Sequence, residues 1–176
     1  MKKSFISQVR NDIIYHGGST FYKKIIVFFL NFNFGLLFTY RLSRMLSKTS
    51  FRKLNIFVLL WQNIIYNSNI STRAEIGDNF KFAHAFGVLI GSTIIEDGVT
   101  IFQQVTIGSH GNDELAKAWP TIKENTKIYS GAKVLGNIIV GKNVTIGANC
   151  VVMKDILDNA ILVSPLAKII GYKDDK

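Results

Sequence analysis

Residues 122–152 read IKENTKIYSGAKVLGNIIVGKNVTIGANCVV. Within them Ile122, Ile128, Val134, Val140, Ile146 and Val152 recur on a spacing of six. The same count runs upstream through Ile70, Ile76, Phe82 and Val88, and then, after one extra residue, through Ile95, Ile101 and Ile107. Small residues (Gly77, Gly108, Ala132, Gly141, Gly147) sit at set phases of it. A polar break from Ser109 to Thr121 separates the two runs. A period of six fits neither the 3.6 of an α-helix nor the plain alternation of an independent strand. It predicts a hexapeptide β-helix, a coiled prism of short parallel strands with one inward residue per flat side.

Working outward, residues 1–67 differ in kind. Ser4–Tyr15 reads as a short helix, followed by a turn at His16–Ser19 with Ser19 or Thr20 as the next N-cap. Phe21–Ser47 reads as one long helix, weakened near Asn31–Gly35, and Thr49 or Ser50 caps a third over Phe51–Tyr66. The expected organisation is a helical segment (1–67), a β-helix domain (68–163) carrying an inserted loop (109–121), and a short C-terminal extension (164–176). The fold class is therefore mainly β with an α-helical N-terminal segment. Both prolines fall at breaks, Pro120 closing the loop and Pro165 following the last coil. Insertions in repeat proteins project from one face and often carry the binding site.

The composition narrows the partners. The chain is 48% hydrophobic, with a net charge of +9 that asks for an anionic partner: a phosphorylated cofactor, a membrane surface or nucleic acid. One cysteine, Cys150, argues against a disulfide framework and suits a reducing, cytoplasmic setting. Met1–Asn11 has no apolar core of a secretory signal. Ile25–Tyr40 is apolar but interrupted, short of the roughly 20 residues a spanning helix needs. The cations of the first segment (Lys2, Lys3, Arg10, Lys23, Lys24, Arg41, Arg44, Lys48, Arg52, Lys53) lie beside Phe28, Phe29, Phe32, Phe34, Phe38 and Trp61. Two readings follow: peripheral contact of residues 1–67 with an anionic membrane, or a helical cap whose phenylalanines pack on one another or between subunits. No nucleic-acid motif is present. Three scattered histidines and one cysteine make no recognisable metal-ligand set.

Two runs carry a resemblance. His84-Ala85-Phe86-Gly87-Val88-Leu89-Ile90-Gly91-Ser92-Thr93 is similar to the DHATGIVIGET signature of serine O-acetyltransferases, and Gly131–Ile138 resembles their GAKVLGNI run. The likeness covers residues 67–172. It implies a left-handed parallel β-helix assembled as homotrimers, acetyl-CoA as donor, and an active site between neighbouring subunits. It also implies roles. His84 matches the catalytic histidine, suited to take a proton from an acceptor hydroxyl near neutral pH. Gly108-Ser109 matches the run whose backbone amide faces the thioester oxygen, and one such donor is worth roughly 3 kcal/mol. Ser130 and Ala148 match positions along the pantetheine arm. Lys133, Lys142, Lys154 and Lys168 are cations on the C-terminal coils or beyond, with Lys133 and Lys168 the first choices for phosphate.

The departures fall on the acceptor side. The aspartate that orients the histidine is Asn69 here, able to accept from an imidazole N–H but without full charge. The aspartate before the histidine is Ala83, and a second histidine is replaced by Trp119. A site lacking its polar partners rejects a substrate sharply. A tryptophan at the mouth suggests a sugar ring or loop packing against a neighbouring subunit, and His110 either contacts the acceptor or closes the loop. The first segment also resembles that of the short acetyltransferase-like proteins of capsule, lipopolysaccharide and exopolysaccharide biosynthesis. The leading expectation is thus an acetyl-CoA-dependent O-acetyltransferase with a saccharide acceptor in surface-polysaccharide biosynthesis. Two alternatives stand: a serine O-acetyltransferase of cysteine biosynthesis, and a β-helix scaffold without catalysis.

Overall fold

The computed structural model describes residues 4–110 and 119–170. Most of the inserted loop (111–118) and the tail (171–176) lie outside the described residues.

The six-residue count becomes a left-handed, three-sided parallel β-helix. The first face stacks strands Asn69–Ile70, Leu89–Ile90, Thr106–Gly108, Lys133–Leu135 and Val151–Val152. The second stacks Glu75–Ile76, Ile94–Ile95, Thr121–Ile122 and Ile139–Val140. The third stacks Lys81–Phe82, Thr100–Ile101, Lys127–Ile128, Thr145–Ile146 and Ile161–Leu162. Every pairing is parallel and in register, so Ile107, Val134 and Val152 stack in one column and Ile101, Ile128 and Ile146 in another. The strands alternate outward and inward, and Ile70, Phe82, Ile101, Ile122, Ile128, Val134, Val140 and Ile146 have no exposed surface. Each coil rests on the next, so the core is one continuous aliphatic column.

Corners close by a second rule. The residue two before most inward strand positions is also buried: Phe80, Val88, Val99, Val105, Thr126, Ala132, Val144 and Cys150. Directly before each of these sits a residue with left-handed backbone: Asn79, Gly87, Gly98, Gln104, Asn125, Gly131, Asn143 and Asn149. Asparagine and glycine tolerate that conformation best, which explains why they recur at this phase.

The register corrects the sequence reading at one coil. The inward strand residue after Phe82 is Ile90, not Val88, which takes the buried corner position instead. The irregularity is therefore a lengthened corner at Ala83–Val88 followed by a shortened one at Gly91–Thr93, rather than one extra residue near Ile94. The lengthened corner is the one that carries His84.

The N-terminal segment folds as α1 (Phe5–Tyr15), α2 (Phe21–Leu30), α3 (Phe32–Ser47), a 3₁₀ turn (Arg52–Leu54) and α4 (Asn55–Tyr66). Ser4, Thr20 and Asn31 cap the first three helices through their side-chain oxygens. The expected single helix over Phe21–Ser47 is broken at Asn31, where the axis bends by 82°. The Asn31 carboxamide accepts from Phe34 N at 3.0 Å, so the residue that weakened the helix restarts it.

α3 seals the open end of the prism. The first coil has no coil before it, and its outer backbone groups would otherwise be left as an unpaired edge. Asn33, Leu37, Tyr40, Arg41 and Arg44 share one face of α3, and that face supplies the partners. The Tyr40 hydroxyl donates to Ala74 O at 2.8 Å. Arg41 donates to Ile76 O at 2.6 Å and Gly77 O at 2.7 Å, and pairs with Asp12 of α1 at 3.0 Å. Arg44 donates to Ala74 O and to Glu75 at 2.8 Å. Arg41 and Arg44, expected among the cations facing a membrane, are thus committed to the end of the β-helix.

Candidate active site

The faces assign each candidate residue to a corner. His84 lies on the corner between the third and first faces, on the lengthened turn. Asn69 opens the first strand of the same edge, and its backbone N–H donates to Val88 O at 2.9 Å, tying it to the end of the His84 turn. One coil further sits Phe102, then Tyr129-Ser130, then Ala148. The structure therefore gathers His84, Asn69, Ser130 and Ala148 along one edge, with Lys133 at the start of the adjoining strand of the first face.

His84 is exposed. Its ring lies edge-on to Phe102, with centroids 6.1 Å apart, and Phe102 stacks on Tyr129 at 4.7 Å and 15°. An aromatic wall thus runs from the histidine toward Ser130. The backbone of the turn is fixed on both sides: Phe86 N donates to His84 O at 3.0 Å, Gly87 N to Tyr66 O at 3.0 Å, and Val88 N to the Ser68 hydroxyl at 3.0 Å. Gln103 Oε1, buried and without a hydrogen-bond partner among the described residues, lies on the same edge. The sequence reading missed Phe102, Gln103 and Tyr129, although their phase relative to Ile101 and Ile128 marks the outward turn of each coil.

Gly108, Ser109, His110 and Trp119 are elsewhere, on the corner between the first and second faces. Gly108 ends its strand opposite Leu135, and its carbonyl accepts from Gly136 N at 3.0 Å. His110 is exposed, its Cβ beside Gly136. Within one chain the whole width of the first face separates this corner from His84. A single copy does not bring the histidine and the Gly108-Ser109 amides together.

Two placements bear on the expectations. Trp119 packs against Gly91, so closely that a Cβ added to Gly91 would overlap the indole at Cζ3. That contact ties the six-membered ring of the half-buried indole to its own chain. Lys142 belongs to the third corner, away from both sets, and its Nζ pairs with Glu124 at 3.1 Å. That hydrogen bond and the Glu124 charge raise its pKa. Lys154 falls on the Gly108 corner, and Lys168 lies exposed beyond the last strand.

With its short parallel strands and its outward-facing corners, the chain has the build of the hexapeptide-repeat transferases, and residues 120–154 match the family "Bacterial transferase hexapeptide (six repeats)". Its more particular likeness is to serine acetyltransferases. A putative serine acetyltransferase of Schizosaccharomyces pombe is 36% identical over 149 residues, 84% of this chain and 55% of that protein. The serine acetyltransferase of Bacillus pumilus is 44% identical over 108 residues, 61% of this chain and 49% of that protein. The crystal structure of the Brucella abortus serine acetyltransferase in complex with coenzyme A superposes with a TM-score of 0.79 at 28% identity, covering 95% of this chain and 68% of that one. The chain spans about half the length of the curated relatives it matches. These likenesses overturn the expectation of a capsule or surface-polysaccharide enzyme with a saccharide acceptor: the relatives are serine acetyltransferases.

Proposed function

We propose that this chain is an acetyl-CoA-dependent serine O-acetyltransferase. His84 takes the proton of the serine hydroxyl as its oxygen attacks the thioester carbonyl; the C–S bond then breaks, and the proton passes from His84 to the departing coenzyme A sulfur. The Ser109 amide, beside Gly108, faces the oxygen that gains negative charge. The observation that carries this reading is the edge on which an exposed histidine, in a turn lengthened only there, continues through an aromatic wall to Ser130 and Ala148. The coenzyme's pantetheine arm runs along that edge, with Lys133, Lys154 and Lys168 as candidate cations for its phosphates. The carboxamide oxygen of Asn69 accepts from the His84 ring in place of a carboxylate. His110 and Trp119 frame the acceptor pocket, Trp119 by anchoring the loop. The three-part division at 67/68 and 163/164 is part of the same reading.

The distance between corners supports a homotrimer. A prism whose His84 edge meets the Ser109 edge of a neighbour completes the site at each of three interfaces, and a closed ring repeats one contact throughout. A cytoplasmic setting suits Cys150, which is free and buried. Peripheral membrane contact narrows to α2 and α4, whose Phe21, Tyr22, Phe29, Phe57 and Trp61 are exposed near Lys23 and Lys53. Among the described residues no single helix is long and apolar enough to span a bilayer. Failure to sediment with anionic vesicles at low salt would remove that contact.

The test of the main reading is thiol release from acetyl-CoA with L-serine as acceptor. Loss of a positioned base costs about 10²–10⁴-fold, so His84→Ala is expected to lose that much turnover while still binding coenzyme A by calorimetry. Turnover of the wild type with saccharides but not with L-serine sinks the serine assignment. Unchanged turnover in His84→Ala removes the histidine from the mechanism.

A further inference from the structure

We propose that Asn33, in the first turn of α3, is a positioning residue for His84. This rests on the reading of His84 as the base. The Asn33 Nδ2 donates to Ala83 O at 3.0 Å, and the Asn33 Oδ1 accepts from Ala85 N at 2.9 Å. One carboxamide therefore grips the main chain on both sides of His84, fifty residues away in sequence. No other side chain among the described residues bonds the backbone on both sides of this histidine.

The need for such a grip follows from the fold. Elsewhere in the β-helix a turn is held by the coils on either side of it. Gly131 N, for instance, donates to Gln103 O at 3.0 Å and Asn149 N to Ser130 O at 2.9 Å. The His84 turn is held along its whole length only by the coil that follows it: Ala83 N donates to Ile101 O at 2.9 Å, and Gln104 N to Phe86 O at 3.0 Å. On the other side the preceding chain holds only the end of the turn, where Gly87 N donates to Tyr66 O at 3.0 Å and Val88 N to the Ser68 hydroxyl at 3.0 Å; beside Ala83–Ala85 there is no earlier coil, because the chain arrives from α4. The turn is also longer than its counterparts, and so has more freedom to lose. Asn33 supplies the missing neighbour with one donor and one acceptor, the same pair that a backbone would offer.

The chemistry fixes which residue can do this. The contact needs an N–H toward Ala83 O and a lone pair toward Ala85 N, opposite in role and joined by one planar group. Asparagine has both. Aspartate is the same size but, when ionised, presents oxygen to both, so it keeps the Ala85 bond and repels the Ala83 carbonyl. A side chain that exists only for packing would be indifferent to this exchange. Ala85 is buried, while His84 between the two bonds is exposed, so the grip fixes the backbone and leaves the imidazole to the solvent side. Loosening a reacting group by about 1 Å costs on the order of 10²-fold in rate.

The experiment compares Asn33→Ala, Asn33→Asp and His84→Ala in the full chain, by thiol release with acetyl-CoA and L-serine at a temperature well below each variant's unfolding. Both Asn33 variants are expected to lower kcat about tenfold to a hundredfold. KM for acetyl-CoA should stay within about twofold, since Ser130 and Ala148 lie on later coils that Asn33 does not touch. Because Asn33 acts through His84, Asn33→Ala added to His84→Ala should lower the residual rate no further. Wild-type kcat in Asn33→Ala or Asn33→Asp, alongside a dead His84→Ala, overturns the positioning role and leaves the proposed function standing. A kcat loss that persists undiminished in the His84→Ala background also overturns it, assigning Asn33 to general structure. If His84→Ala keeps full turnover, the proposed function falls, and this inference with it.

Discussion

Replacing Arg41 by alanine strikes the joint between the helices and the β-helix. Arg41 and Asp12 are each only 1% exposed and meet at 3.0 Å, and the same guanidinium serves Ile76 O and Gly77 O. Arg41→Ala strands one buried carboxylate and two backbone carbonyls. Removing one partner of a buried pair costs about 3–5 kcal/mol, because the remaining group keeps its desolvation penalty. In a chain of this size each kcal/mol moves Tm by about 2–4 °C, so a fall of roughly 10 °C is expected. The joint also carries a pH signature. Burial already raises the Asp12 pKa above its ordinary value of 3.8, against the pull of Arg41 and His16. Without Arg41 that rise grows. A carboxyl whose folded pKa lies above its unfolded value loses stability as pH climbs through the folded pKa. The deficit of Arg41→Ala should therefore be smallest near pH 4 and widen toward neutrality, and Asp12→Asn added to it should narrow the deficit at pH 7.5. Differential scanning fluorimetry across that range checks both. A Tm within about 2 °C of wild type, or a deficit that shrinks as pH rises, would refute the account of this joint.

Two further outcomes follow from single contacts. Burial lowers the pKa of His16 below 6.5, despite the bond from its Nδ1–H to Asp12 O at 2.8 Å, and its Nε2 is buried without a partner among the described residues. A histidine with a depressed folded pKa loses stability as pH falls below 6.5, so Tm should drop between pH 7.5 and 5.5, and His16→Gln should flatten that drop. Gly91→Ala places a methyl where the Trp119 ring lies, so the indole must leave. Its fluorescence emission should shift to the red, and an unshifted spectrum would contradict the packed position of Trp119.

The prism was legible because a period of six in large apolar residues matches neither a helix nor a lone strand, and the inward columns follow the count from Ile95 to Val152. His84 and the edge it shares with Ser130 and Ala148 were singled out through runs that resemble a known family. Three things were not legible, each for a physical reason. The lengthened corner hid because Val88 is aliphatic and buried in either register, so hydrophobicity alone could not choose between it and Ile90. Arg41 and Arg44 read as surface cations because charge is usually solvated, and nothing in the sequence says that the first coil of a β-helix lacks partners. The packing of Trp119 on Gly91 was hidden because the two are a whole coil apart in sequence. The break at Asn31 is half visible in the sequence: the residue weakens the helical pattern, and the 82° bend falls where its side chain caps α3.

The polar face of α3 ties the stability of the β-helix to the placement of its proposed base. A β-helix extends by templating, each coil on the one before, and its first coil must be templated by something that is not a coil. Here that template is a helix carrying Asn33, Tyr40, Arg41 and Arg44 at helical spacing, each aimed at the backbone of residues 74–85. The same first coil ends in the turn that carries His84. Whatever fixes the start of the β-helix therefore also fixes the proposed base, and the donor edge, built from later coils, is insulated from it. Changes in α3 should accordingly fall on kcat and on stability, and changes around Ser130 and Ala148 on the affinity for acetyl-CoA.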